Sequence, residues 1–137
     1  MINFSKYFSR GLHGTLRLIN GTNLSFKGPW VQVYPNTVVD KWYVGDFMSA
    51  EYTISVDYDT DRKELIKALV VASPTNASVV IIGRTNLGQN LINLSVEVNA
   101  STVSLIANPV TVGPTVFSGS KLIFSATYHQ TLNELQP

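Results

Sequence analysis

The chain has no cysteine. That excludes a disulfide framework, a thiolate zinc site and a thiol nucleophile, and it fits a reducing assembly compartment. Charge is scarce as well: 14% of the 137 residues are Asp, Glu, Lys or Arg, against about 25% in ordinary soluble domains. The ten basic residues are spread from Lys6 to Lys121 and nine acidic ones nearly balance them, for a net charge of +1. There is no basic stripe to neutralise a run of phosphates or to hold an acidic membrane, so nucleic acid is not an expected partner. Long apolar runs are missing too. Residues 68–72 and 79–82 fall well short of the ~20 residues of a membrane helix, and Ser5, Lys6, Ser9 and Arg10 interrupt any secretion-signal core. The chain reads as soluble and unprocessed, with no membrane partner.

What fills the polar surface instead is uncharged. Ser, Thr and Asn together number 36, beside 45% hydrophobic residues and a mean hydropathy of +0.12. Such side chains suit β-edges, turns and close-packed contacts, so part of this lightly charged exterior is expected to be covered by other subunits. The length fits a single domain with a single core.

Residues 1–45 differ from the rest and read as an N-terminal aromatic arm with the first strands. They hold Phe4, Tyr7, Phe8, Phe26, Trp30, Tyr34, Trp42 and Tyr43, punctuated by Gly11, Gly14, Gly21, Gly28, Pro29 and Pro35. Phe4, Tyr7, Phe8 and Leu12 recur at helical spacing, which allows a short amphipathic helix before Gly14. Exposed aromatic surface of this extent docks on something, which makes Phe4, Tyr7, Phe8, Trp30, Tyr34, Trp42 and Tyr43 the candidate subunit contacts. The alternative is that the segment supplies two ordinary strands.

Residues 46–137 are plainly β. Tyr52, Ile54, Val56 and Tyr58 alternate with Thr53, Ser55 and Asp57, the period-two pattern of a half-buried strand. Residues 59–62 read as a turn, 63–73 as a central strand apolar on both faces, and 78–84 as the next strand. Leu94, Val96 and Val98 share one face, as do Val103, Leu105 and Ala107, with residues 99–101 making a hairpin. A looser Pro and Gly segment, 108–120, leads to a last strand at 121–128. Six to eight strands with short turns and no βαβ rhythm predict an all-β domain, an antiparallel β-sandwich or small barrel.

The chemistry is thin. Asp57, Asp59 and Asp61 are spaced D-x-D-x-D, but Arg62 stands where a calcium loop needs glycine and no Glu follows at position twelve; solvated turn carboxylates are the preferred reading, and no metal or other cofactor is expected. His13 and His129 are the only histidines, and neither has an acidic or histidine neighbour at ligand spacing. Acid–base catalysis needs such a partner. Ser118-Gly119-Ser120-Lys121 matches S-x-x-K, but it opens a strand rather than a catalytic helix. Six Asn-x-Ser/Thr sequons, at Asn3, Asn20, Asn23, Asn76, Asn93 and Asn99, follow from the abundance of those residues. Trp30, Tyr34, Trp42 and Tyr43 also have the flat faces that a sugar-stacking platform needs, which keeps a host surface glycan as a partner beside protein contacts.

Three stretches carry a family resemblance: Lys41-Trp42-Tyr43-Val44-Gly45-Asp46-Phe47-Met48-Ser49-Ala50-Glu51-Tyr52, Gly83-Arg84-Thr85-Asn86-Leu87-Gly88, and Lys121-Leu122-Ile123-Phe124-Ser125-Ala126-Thr127-Tyr128. Residues 41–132 resemble the β-rich terminal module of virion proteins from tailed marine and cyanobacterial phages, of fibre or baseplate type. The long repetitive stalk of those proteins is missing and a short aromatic arm stands in its place, which also suits a capsid-decorating or neck-associated subunit. The resemblance implies a non-enzymatic, homo-oligomeric structural protein located in the virion, with copies of itself and other virion proteins as partners. A receptor- or glycan-binding tip is the alternative, and no functional residue is carried over.

Overall fold

The structure, a computed structural model, describes residues 23–130, with side chains from residue 28 onward. The expected helix around Phe4, Tyr7, Phe8 and Leu12 lies outside the described residues. These form strands and turns only: β1 (Asn23–Lys27), β2 (Val31–Val33), β3 (Thr37–Tyr43), β4 (Phe47–Asp57), β5 (Lys63–Ala72), β6 (Ala77–Asn86), β7 (Ile92–Asn99), β8 (Thr102–Pro109), β9 (Thr111–Val112), β10 (Thr115–Val116) and β11 (Ser120–Gln130).

All pairings are antiparallel. The larger sheet runs β1-β11-β4-β5-β6, with β2 joining β11 beyond β1, and the second runs β3-β8-β7. The two pack face to face as a sandwich, since each strand alternates buried and open side chains. Ala50, Tyr52, Ile54 and Val56 of β4 point inward, as do Ile66, Ala68 and Val70 of β5 and Leu122, Phe124, Ala126 and Tyr128 of β11. Val103, Leu105 and Ala107 of β8 meet them from the other sheet. Each large apolar side chain so buried contributes roughly 1.5–3 kcal/mol. The segment expected as a loose connection, 108–120, carries the small β9–β10 ladder.

The arm expected at residues 1–45 supplies strands to both sheets where it is described. β1 and β2 line the same edge of β11, interrupted at Gly28 and Pro29. Gly28 donates its N–H to the Phe124 carbonyl at 3.0 Å, and a Cβ there would sit 2.3 Å from the Phe124 ring. The strand edge can press onto that ring only because residue 28 has no side chain.

Glu64 and Arg84 hold the crossing from one sheet to the other. Arg84 Nε lies 2.7 Å from Glu64 Oε2, and the N–H groups of Leu91 and Ile92 donate to Glu64 Oε1 at 2.9 and 3.4 Å. Arg84 Nη2 donates to the Ile92 carbonyl at 2.6 Å. A buried carboxylate requires this many partners.

Two substitutions test the fold. Gly28→Ala should destabilise by about 1–3 kcal/mol in urea unfolding, because the new methyl overpacks against a ring already fixed by Tyr52. The β7–β8 turn places Ala100 at φ 52° and Ser101 at φ 64°, a left-handed pair that favours Asn-Gly. Ala100→Asn combined with Ser101→Gly should therefore raise stability by about 1 kcal/mol in the same assay; no gain would mean that the turn is held by something other than its own backbone preference.

Candidate functional site

Two places in the described structure gather chemistry: a buried carboxylate centre between the sheets and an open groove on the outer face of the larger sheet.

The centre begins with a bulge. β3 pairs with β8 so that Val38 faces Ile106 and Asp40 faces Leu105, leaving Val39 as an extra residue. The bulge turns both Val39 and Asp40 inward, as such irregularities re-aim side chains. Asp40 Oδ2 accepts the O–H of Tyr52 at 2.8 Å and the O–H of Tyr128, and Trp42 Nε1 donates to the Tyr52 oxygen at 2.9 Å. Tyr128 packs edge-on against Tyr52 at 6.2 Å and Trp42 at 6.3 Å, and tilted against Phe47 at 5.3 Å. Burial raises the Asp40 carboxyl to about 6, although hydrogen bonds from Tyr128, Tyr52 and the Lys41 backbone pull it down; burial and the Asp40 charge push both tyrosine hydroxyls well above their ordinary range. A shifted, buried acid marks many active sites. This one does not line the groove described next, and its hydrogen bonds are spent inside the core.

The groove crosses four strands and has a volume of about 760 Å³. Its floor is the cross-strand row Ile123, Ser55, Leu65 and Thr85, and the neighbouring row is Lys121, Asp57 and Lys63. Trp30 stands at one side, with Lys121 Nζ 5.7 Å from the centre of its ring, and Leu87 closes the other. Lys63 Nζ donates to Asp57 Oδ1 at 2.9 Å. Glu64 also borders the groove, but its side chain is fully buried and held by Arg84 and the backbone.

The remaining candidates fall into place around these. Of the expected subunit contacts, Trp30, Tyr34 and Tyr43 are about half exposed; Phe4, Tyr7 and Phe8 lie outside the described residues. Trp42 is a correction. It is 1% exposed, because period two along β3 places it on the same inward face as Asp40 while Lys41 and Tyr43 point out. It therefore cannot join Trp30, Tyr34 and Tyr43 in a sugar platform. Asp59 accepts from Arg62 and from the Asp61 N–H, both at 2.9 Å, and Asp57 accepts from Lys63, so two of the three D-x-D-x-D carboxylates are engaged within their own hairpin. Ser120 donates to the Phe117 carbonyl at 2.7 Å in the loop that opens β11. His129, without an acidic neighbour in sequence, lies 2.9 Å from Glu51 across the β4–β11 ladder, a proximity that appears only once the register is known.

The Asp40 shift has a definite sign. Its folded value of about 6 exceeds the ordinary 3.8, so the native state binds the proton more tightly than the unfolded chain does. The stability this proton contributes is complete below about pH 4 and is lost by pH 6 to 7, a change of about 3 kcal/mol. Asp40→Asn should flatten this part of the pH profile of urea unfolding; an unchanged slope between pH 4 and 7 would assign it to another group.

No family model and no curated protein matches the chain. Among solved structures, it is similar to the tailspike protein of Acinetobacter baumannii phage AM24, at 12% identity and a TM-score of 0.45 over 80% of this chain and 26% of that one. It is also similar to the tailspike protein of Acinetobacter phage vB_ApiP_P1, at 16% identity and a TM-score of 0.44 over 85% and 24%. A third is tailspike protein gp49 of Acinetobacter baumannii bacteriophage Fri1, a capsular polysaccharide depolymerase, at 11% identity and a TM-score of 0.45 over 98% and 22%. The chain spans about a quarter of the length of each, and at these scores none of the three passes an activity to it.

Proposed function

We propose that this chain is a non-enzymatic, homo-oligomeric structural module of a tailed-phage virion, associated with the tail, fibre or baseplate or decorating the capsid. The observation that carries the oligomeric part is the outer face of β5 and β6. Val71, Val80 and Ile82 are 53–57% exposed there, with Lys67 as the charged residue beside them; Leu65 and Leu87 carry the apolar strip on toward Lys63 and the groove. A contiguous apolar surface of this kind marks a contact site, and repetition about a rotation axis buries it in every copy. The phage assignment rests on the sequence resemblance of residues 41–132 to virion proteins of tailed marine and cyanobacterial phages.

The charged groups support a module without catalysis. The groove has two acidic neighbours, Asp57 and Glu64, and each is engaged by a cation, Lys63 and Arg84 respectively. A glycosidase pair needs one carboxyl free to give a proton and one free to attack or to activate water.

The groove itself favours the second reading, a glycan-binding surface. Trp30 offers an exposed indole face at its side, and Ser55, Thr85, Asp57 and the two lysines supply donors and acceptors around an apolar floor, the usual make-up of a ligand cleft. Native mass measurement at micromolar concentration should give a multiple of 15.1 kDa, and a monomer would overturn the primary reading. A saccharide array probed with the wild type and with Trp30→Ala tests the second: hits lost in the variant support it, and an array without hits removes it.

A further inference from the structure

We propose that two copies of this chain join their larger sheets edge to edge, pairing β6 with β6 of a second copy antiparallel across a two-fold axis at Val79. The inference rests on the homo-oligomeric reading above and adds an edge contact to its face contact, one that continues the apolar outer face across two copies instead of burying it.

Among the described residues the sandwich has four sheet edges, and three are guarded. An open edge is a template for another strand, and proteins blunt it with charge, proline or bulges. The β1 and β2 edge is broken at Gly28 and Pro29. β3 carries Lys41 and the bulge at Val39, and β7 presents an exposed Glu97. β6 has neither proline nor an outward charge: Arg84, its one charged residue, is turned in to Glu64 and the Ile92 carbonyl. Its bulge falls at Ile82, which leaves residues 77–81 as an uninterrupted run.

The hydrogen-bond parity of that run is readable. The β5–β6 turn is closed by Ser73 N–H donating to the Asn76 carbonyl at 2.7 Å. Bonded and non-bonded pairs alternate from there along an antiparallel ladder, so Ser78 and Val80 bond to β5, whereas Ala77, Val79 and Ile81 turn their N–H and C=O groups to the free edge. Ala77 N–H agrees with this phase, donating to the Asn76 side-chain oxygen at 3.0 Å instead of to β5. No backbone group among the described residues pairs with Val79 or Ile81 on that side.

A two-fold axis at Val79 satisfies these groups with their own copies. Val79 exchanges both bonds with Val79 of the second copy, and Ile81 N–H donates to the Ala77 carbonyl across the axis. On the outer face Val80 comes opposite Ser78, with no like charges facing. The apolar strip of Leu69, Val71 and Val80 then continues from one sheet into the next.

The test exploits the lack of cysteine. Ser78→Cys combined with Val80→Cys should form a disulfide-linked dimer on mild oxidation, because directly opposed non-bonded pairs bring Cα atoms to about 4.5 Å. Ser78→Lys combined with Val80→Lys, both exposed positions, sets ammonium groups against each other and should halve the native mass of the assembly while the thermal melt still shows a cooperative fold. An oligomeric wild type whose mass survives the lysine pair and whose cysteine variant stays uncross-linked would overturn the β6 contact and leave the homo-oligomeric reading standing. A monomeric wild type would overturn both.

Discussion

Two carboxylates tie the sheets together, Glu64 where the chain crosses from β6 to β7 and Asp40 at the centre of the core, and the aromatic packing depends on the second. Asp40 belongs to β3 of the smaller sheet, and the hydroxyls it accepts belong to β4 and β11 of the larger one. Without the bulge at Val39, residue 40 would face the other way and Tyr52 and Tyr128 would lose the buried acceptor their hydroxyls share, a loss of about 1–3 kcal/mol for a hydroxyl left unmet. The aromatic packing depends on the same contact. Trp42 reaches the core because it lies two residues beyond Asp40 on the same face, and its indole N–H is satisfied by the Tyr52 oxygen that Asp40 orients. Polar networks of this kind select one arrangement of otherwise interchangeable apolar layers.

Much of this architecture was legible in the residue pattern. Tyr52, Ile54 and Val56, and later Val103, Leu105 and Ala107, alternate so regularly that their shared burial follows directly from strand geometry. The central position of β5 was legible too, from Leu, Val and Ile on both of its faces, but the outer of those faces is open rather than covered by a layer. What was not legible depends on register and on one extra residue. Two adjacent valines before Asp40 break the period of two, and that break is the signal of a bulge; it shifts Asp40 and Trp42 together from the outside to the core. The groove is a register effect as well, since Ile123, Ser55, Leu65 and Thr85 come from four strands and meet only once the ladders are aligned.

Scarcity of charge takes on a specific meaning in three dimensions. Half of the described Asp, Glu, Lys and Arg side chains are engaged locally: Asp57 with Lys63, Asp59 with Arg62, Glu64 with Arg84, and Glu51 with His129 when the imidazole is protonated. The outer face of β5 and β6 is left with Lys67 and a set of half-exposed aliphatic side chains. Such a surface gains little from solvation and much from a like surface laid over it, at roughly 25 cal/mol per Å² of apolar area removed from water.

The two surfaces occupy opposite ends of the same sheet. The groove lies around Asp57, Lys63 and Lys121, while the free run of β6 pairs with residues 68–72 of β5. From Lys63 to Val71 the strand advances roughly 27 Å, at about 3.4 Å per residue. Pairing two copies through β6 therefore leaves Trp30 and the groove floor uncovered, and the two-fold axis repeats the groove once in each copy. An edge contact of this kind lets a small sandwich assemble and present a ligand surface at the same time. A contact made through the groove itself would force a choice between those two tasks.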